Sequence, residues 1–119
     1  MPRILLVGED QYLLQCRGAM LQNRGADVIA RLARDADRTK VGRVDVLVLC
    51  HSLDLENRVR FAAEARKRWP SVRVLQVLRA ATELYPSAPH ADATVFAGEP
   101  GQLVAETFEL LRDSQAQAS

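Results

Sequence analysis

Cysteine is scarce in this chain: Cys16 and Cys50 lie far apart, with no C-x-x-C or Cys/His ligand spacing. That argues against a disulfide framework or a structural zinc site and makes reduced thiols in a cytoplasm the default. Aromatics are only 5% of residues, too few for the stacking platform of a single-strand nucleic-acid binder. Charge of one sign is missing too, since the net charge of +1 exerts no global pull towards nucleic acid or anionic lipid. No segment approaches the roughly 18 apolar residues of a membrane span, and Met1 to Val7 is too short an apolar run for a signal peptide. A Gly-rich phosphate loop, a G-x-S-x-G elbow and an H-E-x-x-H helix are all absent, so no ready-made enzyme motif is present.

The 119 residues are 48% hydrophobic and 26% charged, ordinary for one soluble domain able to bury about two thirds of its unfolded surface. The chain is organised around Val44-Asp45-Val46-Leu47-Val48-Leu49-Cys50-His51-Ser52. An apolar run without strict alternation, ending in a small polar cluster, is how a strand buried on both faces of a parallel sheet reads where it reaches a functional edge. Before it, Ile4 to Val7 closes on Gly8 as a first strand, and Asp10 can cap a helix with its stripe on Leu13, Cys16 and Met20. That helix stops at Gly25; Asp27 to Ala30 makes a second strand, and Asp35 to Val41 a weak charged helix or turn ending at Gly42.

Beyond the central strand, Asp54 is the N-cap of a third helix whose apolar face is Phe61, Ala62, Ala65 and Trp69, with Arg58, Arg60, Arg66, Lys67 and Arg68 outside it, and Pro70 ends it. Val72 to Leu78 and Thr94 to Phe96 read as the last two strands. Between them Ala80 to Leu84 has room for about a turn of helix before Pro86 and Pro89. Leu103, Ala105, Phe108, Leu110 and Leu111 mark a final helix; the domain then covers residues 1–112, and residues 113–119 form a disordered tail. Five strands alternating with helices predict a single α/β domain, a flavodoxin-like three-layer sandwich whose parallel sheet has the order 2-1-3-4-5 with helices on both faces.

In that order and spacing the chain resembles the receiver domain of bacterial response regulators. Ile4 to Asp10 is similar to a receiver's first strand and acidic pair, Gly25-Ala26-Asp27-Val28 to the join into its second strand, and Asp45 to Leu49 to the strand before the phosphoacceptor. The resemblance implies a two-component signalling module, and the departures from it imply which chemistry is lost. Cys50 falls where the phosphoaccepting aspartate should be, Leu78 where the switch Ser/Thr should be, and Ala97, or Glu99 if the loop is shifted, where the lysine should be. Only Glu9 and Asp10 match the metal-holding acids, and a thiol offers no hard oxygen to magnesium. The degenerate pocket is therefore Glu9, Asp10, Cys50, Leu78 and Ala97, and phosphorylation on aspartate is expected to fail.

Each residue has a plainer role to set beside the chemical one. Cys50 at a strand end near a helix start suits a redox switch, but the acidic pair disfavours a thiolate and free cysteine is commonly buried. His51 follows it on the opposite face, which suits a loop or capping role better than a Cys-His pair. His90, between Pro89 and Ala91, reads as a surface histidine, Glu9 and Asp10 as helix caps before metal ligands, and Trp69 as core. The basic runs Arg31 to Arg43 and Arg58 to Arg68 are interspersed with acids and read as solvated faces rather than a nucleic-acid surface. The expectation is a stand-alone cytoplasmic pseudo-receiver that binds a protein partner, with a second copy of itself among the candidates. It would act without metal, cofactor, nucleic acid, membrane or catalysis. The alternative is a redox or ligand sensor built on Cys50.

Overall fold

The computed structural model describes residues 2–80 and 90–118. Its elements are β1 (Arg3–Gly8), α1 (Gln11–Gln22), β2 (Asp27–Leu32), α2 (Ala33–Ala36), β3 (Val46–Leu49), α3 (Leu55–Arg68), β4 (Arg73–Leu78), β5 (Ala93–Phe96) and α4 (Pro100–Ala118). All pairings are parallel, in the order β2-β1-β3-β4-β5. The chain is a five-stranded α/β sandwich of the expected topology.

Two apolar layers explain why the strands read as continuous hydrophobic runs. Ile4, Leu6, Val46, Val48, Leu75, Val77 and Val95 pack on one face with Leu14 and Leu21 of α1 and Leu103, Leu110 and Leu111 of α4. Their neighbours Leu5, Val7, Leu47, Leu49 and Val74 turn to the other face, against Ala33 and Ala36 of α2 and Phe61, Ala62, Ala65 and Trp69 of α3. The pleat sends alternate residues to opposite faces, so a strand roofed on both sides leaves no position for water.

Local signals set the helix starts. The Asp10 carboxylate accepts from the Leu13 amide at 3.2 Å, and that of Asp54 from the Asn57 amide at 2.8 Å. After α1 the chain turns at Gly25, whose φ of +95° lies in the left-handed region that favours glycine. Trp69, whose φ of −131° and ψ of 88° lie outside the helical region that a following proline disfavours, closes α3.

Besides one-residue shifts at the ends of β1, β4 and β5, the boundaries differ from expectation in four places. β2 runs on to Leu32 because Val7 and Gly8 pair with Arg31 and Leu32. β3 begins at Val46, although Asp45 already bonds backbone to backbone with Arg3 and Arg73. The second helix is the single turn Ala33–Ala36 rather than Asp35 to Val41, because the buried pair Ala33 and Ala36 lies upstream and the charged stretch after it supplies no second packed turn. α4 stays helical through Ala118, past the tail expected from Asp113; after Gly101 no glycine or proline interrupts it. The turn read over Ala80 to Leu84 lies, apart from Ala80, outside the described residues.

Candidate functional site

The carboxyl ends of the strands form the edge where a sheet of this order presents its side chains to a ligand or partner. β1 leaves at Gly8 into Glu9 and Asp10, and β3 leaves beside it at Cys50, whose amide donates to the Val7 carbonyl at 2.9 Å. The two exits touch. A Cβ at Gly8 would stand 3.0 Å from the Cys50 Cβ and 3.1 Å from the Ser52 Oγ, so only glycine admits this approach without a shift. Ser52 Oγ accepts from the Glu9 amide at 2.8 Å and joins the two loops.

The expected pocket residues divide between the faces. Cys50, 1% exposed, belongs to the cluster under α1 and α4, and Ala97 packs against that cluster. Leu78 is buried as well, but it follows Val77 of that cluster and the pleat turns it to the other face. Its carbonyl accepts from the Ala97 amide at 2.8 Å, so the ends of β4 and β5 are held level. Asp10 is spent as the cap of α1, and Glu9 is exposed. Among the described residues no three His, Cys, Asp or Glu side chains converge as metal ligands. One free carboxylate, one capping carboxylate and a buried thiol do not fit a magnesium ion, which asks for several hard oxygens.

Arg17 is the residue that sequence reasoning missed. It lies on α1 two turns below the edge, 7% exposed, and its Nη2 approaches His51 Nδ1 at 3.2 Å. Cβ vectors in a helix tilt towards its N-terminus, so a long side chain at this position climbs towards the carboxyl ends of the strands. Burial pushes the Cys50 thiol above its ordinary pKa; Arg17, by its charge and a hydrogen bond, pulls it down, and Asp10 adds to the rise. Burial prevails, so the thiol stays protonated. His51 and Cys50 both meet Arg17. The signal was available: an arginine three residues after Leu14 and four before Leu21 sits on the apolar stripe.

Two other expectations are corrected. His90 is buried, not a surface residue: its Nε2 lies 2.9 Å from Gln76 Oε1, and Gln76 in turn donates to Thr94 Oγ1 at 2.9 Å. Burial lowers its pKa first, then the charges of Arg58 and Arg66. Arg58, expected outside the apolar face of α3, is buried at 7% exposure. Trp69 is core, as expected, with the Arg68 guanidinium stacked over its ring. Cys16 is exposed and unbridged. No helix among the described residues is long and apolar enough to cross a membrane.

No protein-family profile matches the chain, and no curated protein sequence matches it. Solved structures do. A CheY-like response regulator receiver domain from Methanospirillum hungatei superposes with a TM-score of 0.76 at 21% identity, covering 98% of each chain. The response regulator TrrA from Thermotoga maritima, solved in complex with Mg²⁺-BeF, gives a TM-score of 0.75 at 18% identity over 92% of this chain and 99% of its own. A structure of the histidine kinase ThkA in complex with TrrA gives 0.73 at 21% identity, over 93% and 99%. At such identities the likeness is one of fold, and the fold is that of receiver domains.

Proposed function

We propose that the chain is a receiver-like signalling module of the bacterial cytoplasm that binds a protein partner without being phosphorylated and without catalysing a reaction. One observation carries this reading: the end of β3, where a receiver holds its phosphoaccepting carboxylate, carries a thiol that is 1% exposed and packed among core residues. Leu78 and Ala97, at the places of the switch hydroxyl and the lysine, are both hydrocarbon. With no group to accept a phosphoryl and none to respond to it, no differential interaction remains to move the domain between two states. The surface is then constitutive, its shape set by packing. That a receiver neighbour is known in complex with a histidine kinase makes a protein of that signalling class the first partner to try.

A second reading draws on Arg17. A guanidinium against Cys50 favours an anionic sulfur, as a redox sensor would need, although burial outweighs it. Intact mass separates the readings. After incubation with acetyl phosphate and Mg²⁺ the mass is expected to stay unchanged, and after peroxide Cys50 is expected to stay reduced. A phosphoryl adduct would overturn the constitutive reading. Oxidation that disappears in Cys50→Ser would replace it with the redox sensor.

A further inference from the structure

Arg58 of α3 is a buried cation without a counter-charge. It is 7% exposed, and its Nε and Nη1 are both buried with no hydrogen-bond partner. Among the described residues only Arg58 has two such donors. The carboxylates of this corner are spent elsewhere. Asp54, four residues earlier, caps α3 by accepting from the Asn57 amide at 2.8 Å. Asp92 accepts from the Val74 amide at 2.8 Å and pairs with Arg66 at 3.2 Å and with Arg73 at 3.9 Å. Arg58 takes part in no ion pair among the described residues. A charge taken out of water is ordinarily paired, because the low-dielectric interior does not solvate it.

A cavity of about 280 Å³ lies beside this guanidinium, walled among the described residues by Val59, Ala62, Ala63, Arg66 and His90. Val59 follows Arg58 directly and Ala62 stands one helical turn on, so the cavity and the cation share one side of α3. Burial and then the Arg58 charge lower the pKa of His90, which places the guanidinium within electrostatic reach of the ring that walls the cavity. Val59 and Ala63 are exposed, and the cavity opens to solvent between them. Its other polar groups are already engaged. Arg66 donates to the His90 carbonyl and to Asp92, and His90 Nε2 meets Gln76. One positive charge is left over, against three apolar walls. Water entering the cavity satisfies the two donors but leaves that charge unmatched, whereas an anion does both.

We propose that the cavity between α3 and His90 binds a small organic monocarboxylate, its carboxylate on the Arg58 guanidinium and its hydrocarbon part against Val59, Ala62 and Ala63. A single charge matches the single unpaired cation, and a hydrocarbon body suits methyl-lined walls that would not solvate a doubly charged phosphate. The volume sits at the small end of ligand pockets, which run from roughly 300 Å³ upwards. None of the residues at the end of β3 takes part, so the site is independent of the reading of Cys50 and of the mass experiment that tests it.

The test is isothermal titration calorimetry of the full chain with sodium benzoate, beside benzamide as its uncharged counterpart and inorganic phosphate as an anion without a hydrocarbon part, all at one ionic strength. Benzoate is expected to bind one to one and to raise the melting temperature as its concentration rises. Benzamide and phosphate are expected to bind about tenfold more weakly or not at all. Arg58→Met keeps the length of the side chain without its charge and should weaken benzoate by about tenfold or more. Ala63→Leu, at an exposed position, should fill the cavity and weaken benzoate comparably with the guanidinium in place, and circular dichroism should report an unchanged fold. If Arg58→Met does not fold, Ala63→Leu decides alone. Equal affinity for benzamide would remove the role of the Arg58 charge. Phosphate bound as tightly as benzoate would overturn the carboxylate as the ligand class. Absence of benzoate binding, or binding that either folded variant leaves intact, would overturn the site itself.

Discussion

Arg17 shows how one buried side chain sets the character of the edge. A guanidinium only donates, so in its 3.2 Å contact His51 Nδ1 is the acceptor and the ring carries its proton on Nε2. Its Nη1 is buried with no hydrogen-bond partner among the described residues. Burying a charge costs several kcal/mol unless a counter-charge offsets it, and the side chains Arg17 meets here are a thiol and an imidazole rather than a carboxylate. Arg17→Met keeps the length of the side chain and removes the charge. It is expected to leave stability unchanged or raise it by about 1–4 kcal/mol in urea unfolding. The same change removes the influence that lowers the Cys50 thiol, so in a Cys16→Ser background the thiolate absorbance should appear at higher pH than in the protein with Arg17.

At the scale of elements, the starts of α1 and α3 were legible because capping is local. Asp10 and Asp54 each stand three residues before the amide they receive, and each precedes an apolar stripe. Asp54→Ala is expected to cost about 1 kcal/mol, read as a lower urea midpoint at unchanged slope. Asn, which keeps the acceptor, should recover most of it. The length of α2 was not legible. Its one turn forms where Ala33 and Ala36 meet the sheet, and no residue within the turn announces that the contact ends there. The end of α4 was misread for the opposite reason: loss of the apolar pattern after Leu111 removes a reason to pack, but not the propensity to remain helical.

For the molecule as a whole, the buried pair of His90 and Gln76 joins the loop before β5 to the sheet, and Arg66 holds it from the side by donating to the His90 carbonyl at 3.1 Å. Burial disfavours the charged ring, and protonating His90 in the fold would also add a cation beside Arg58 and Arg66, so its pKa lies below the ordinary 6.5. The unfolded chain then binds the proton first as pH falls. Stability contributed by neutral His90 is complete above about 6.5 and is lost as pH falls from there through the folded value. Thermal melts at stepped pH should show a slope in that window that flattens in His90→Gln. An equal slope in the variant would assign it to other groups.

The sequence by itself determined the order of strands and helices, the parallel sheet, the two-faced burial of its strands and the place of Cys50 at the end of β3. Those features follow from short-range physics: the period of the apolar pattern, the capping carboxylates, and the glycines and prolines that end segments. Tertiary structure decided that Arg17, Arg58 and His90 are inside while Leu55 and Val59 are outside. A helix or loop residue is buried only if some distant part of the chain roofs it. The reach of a long side chain from α1 to the end of β3 spans thirty-four positions of sequence, a distance over which no local pattern operates.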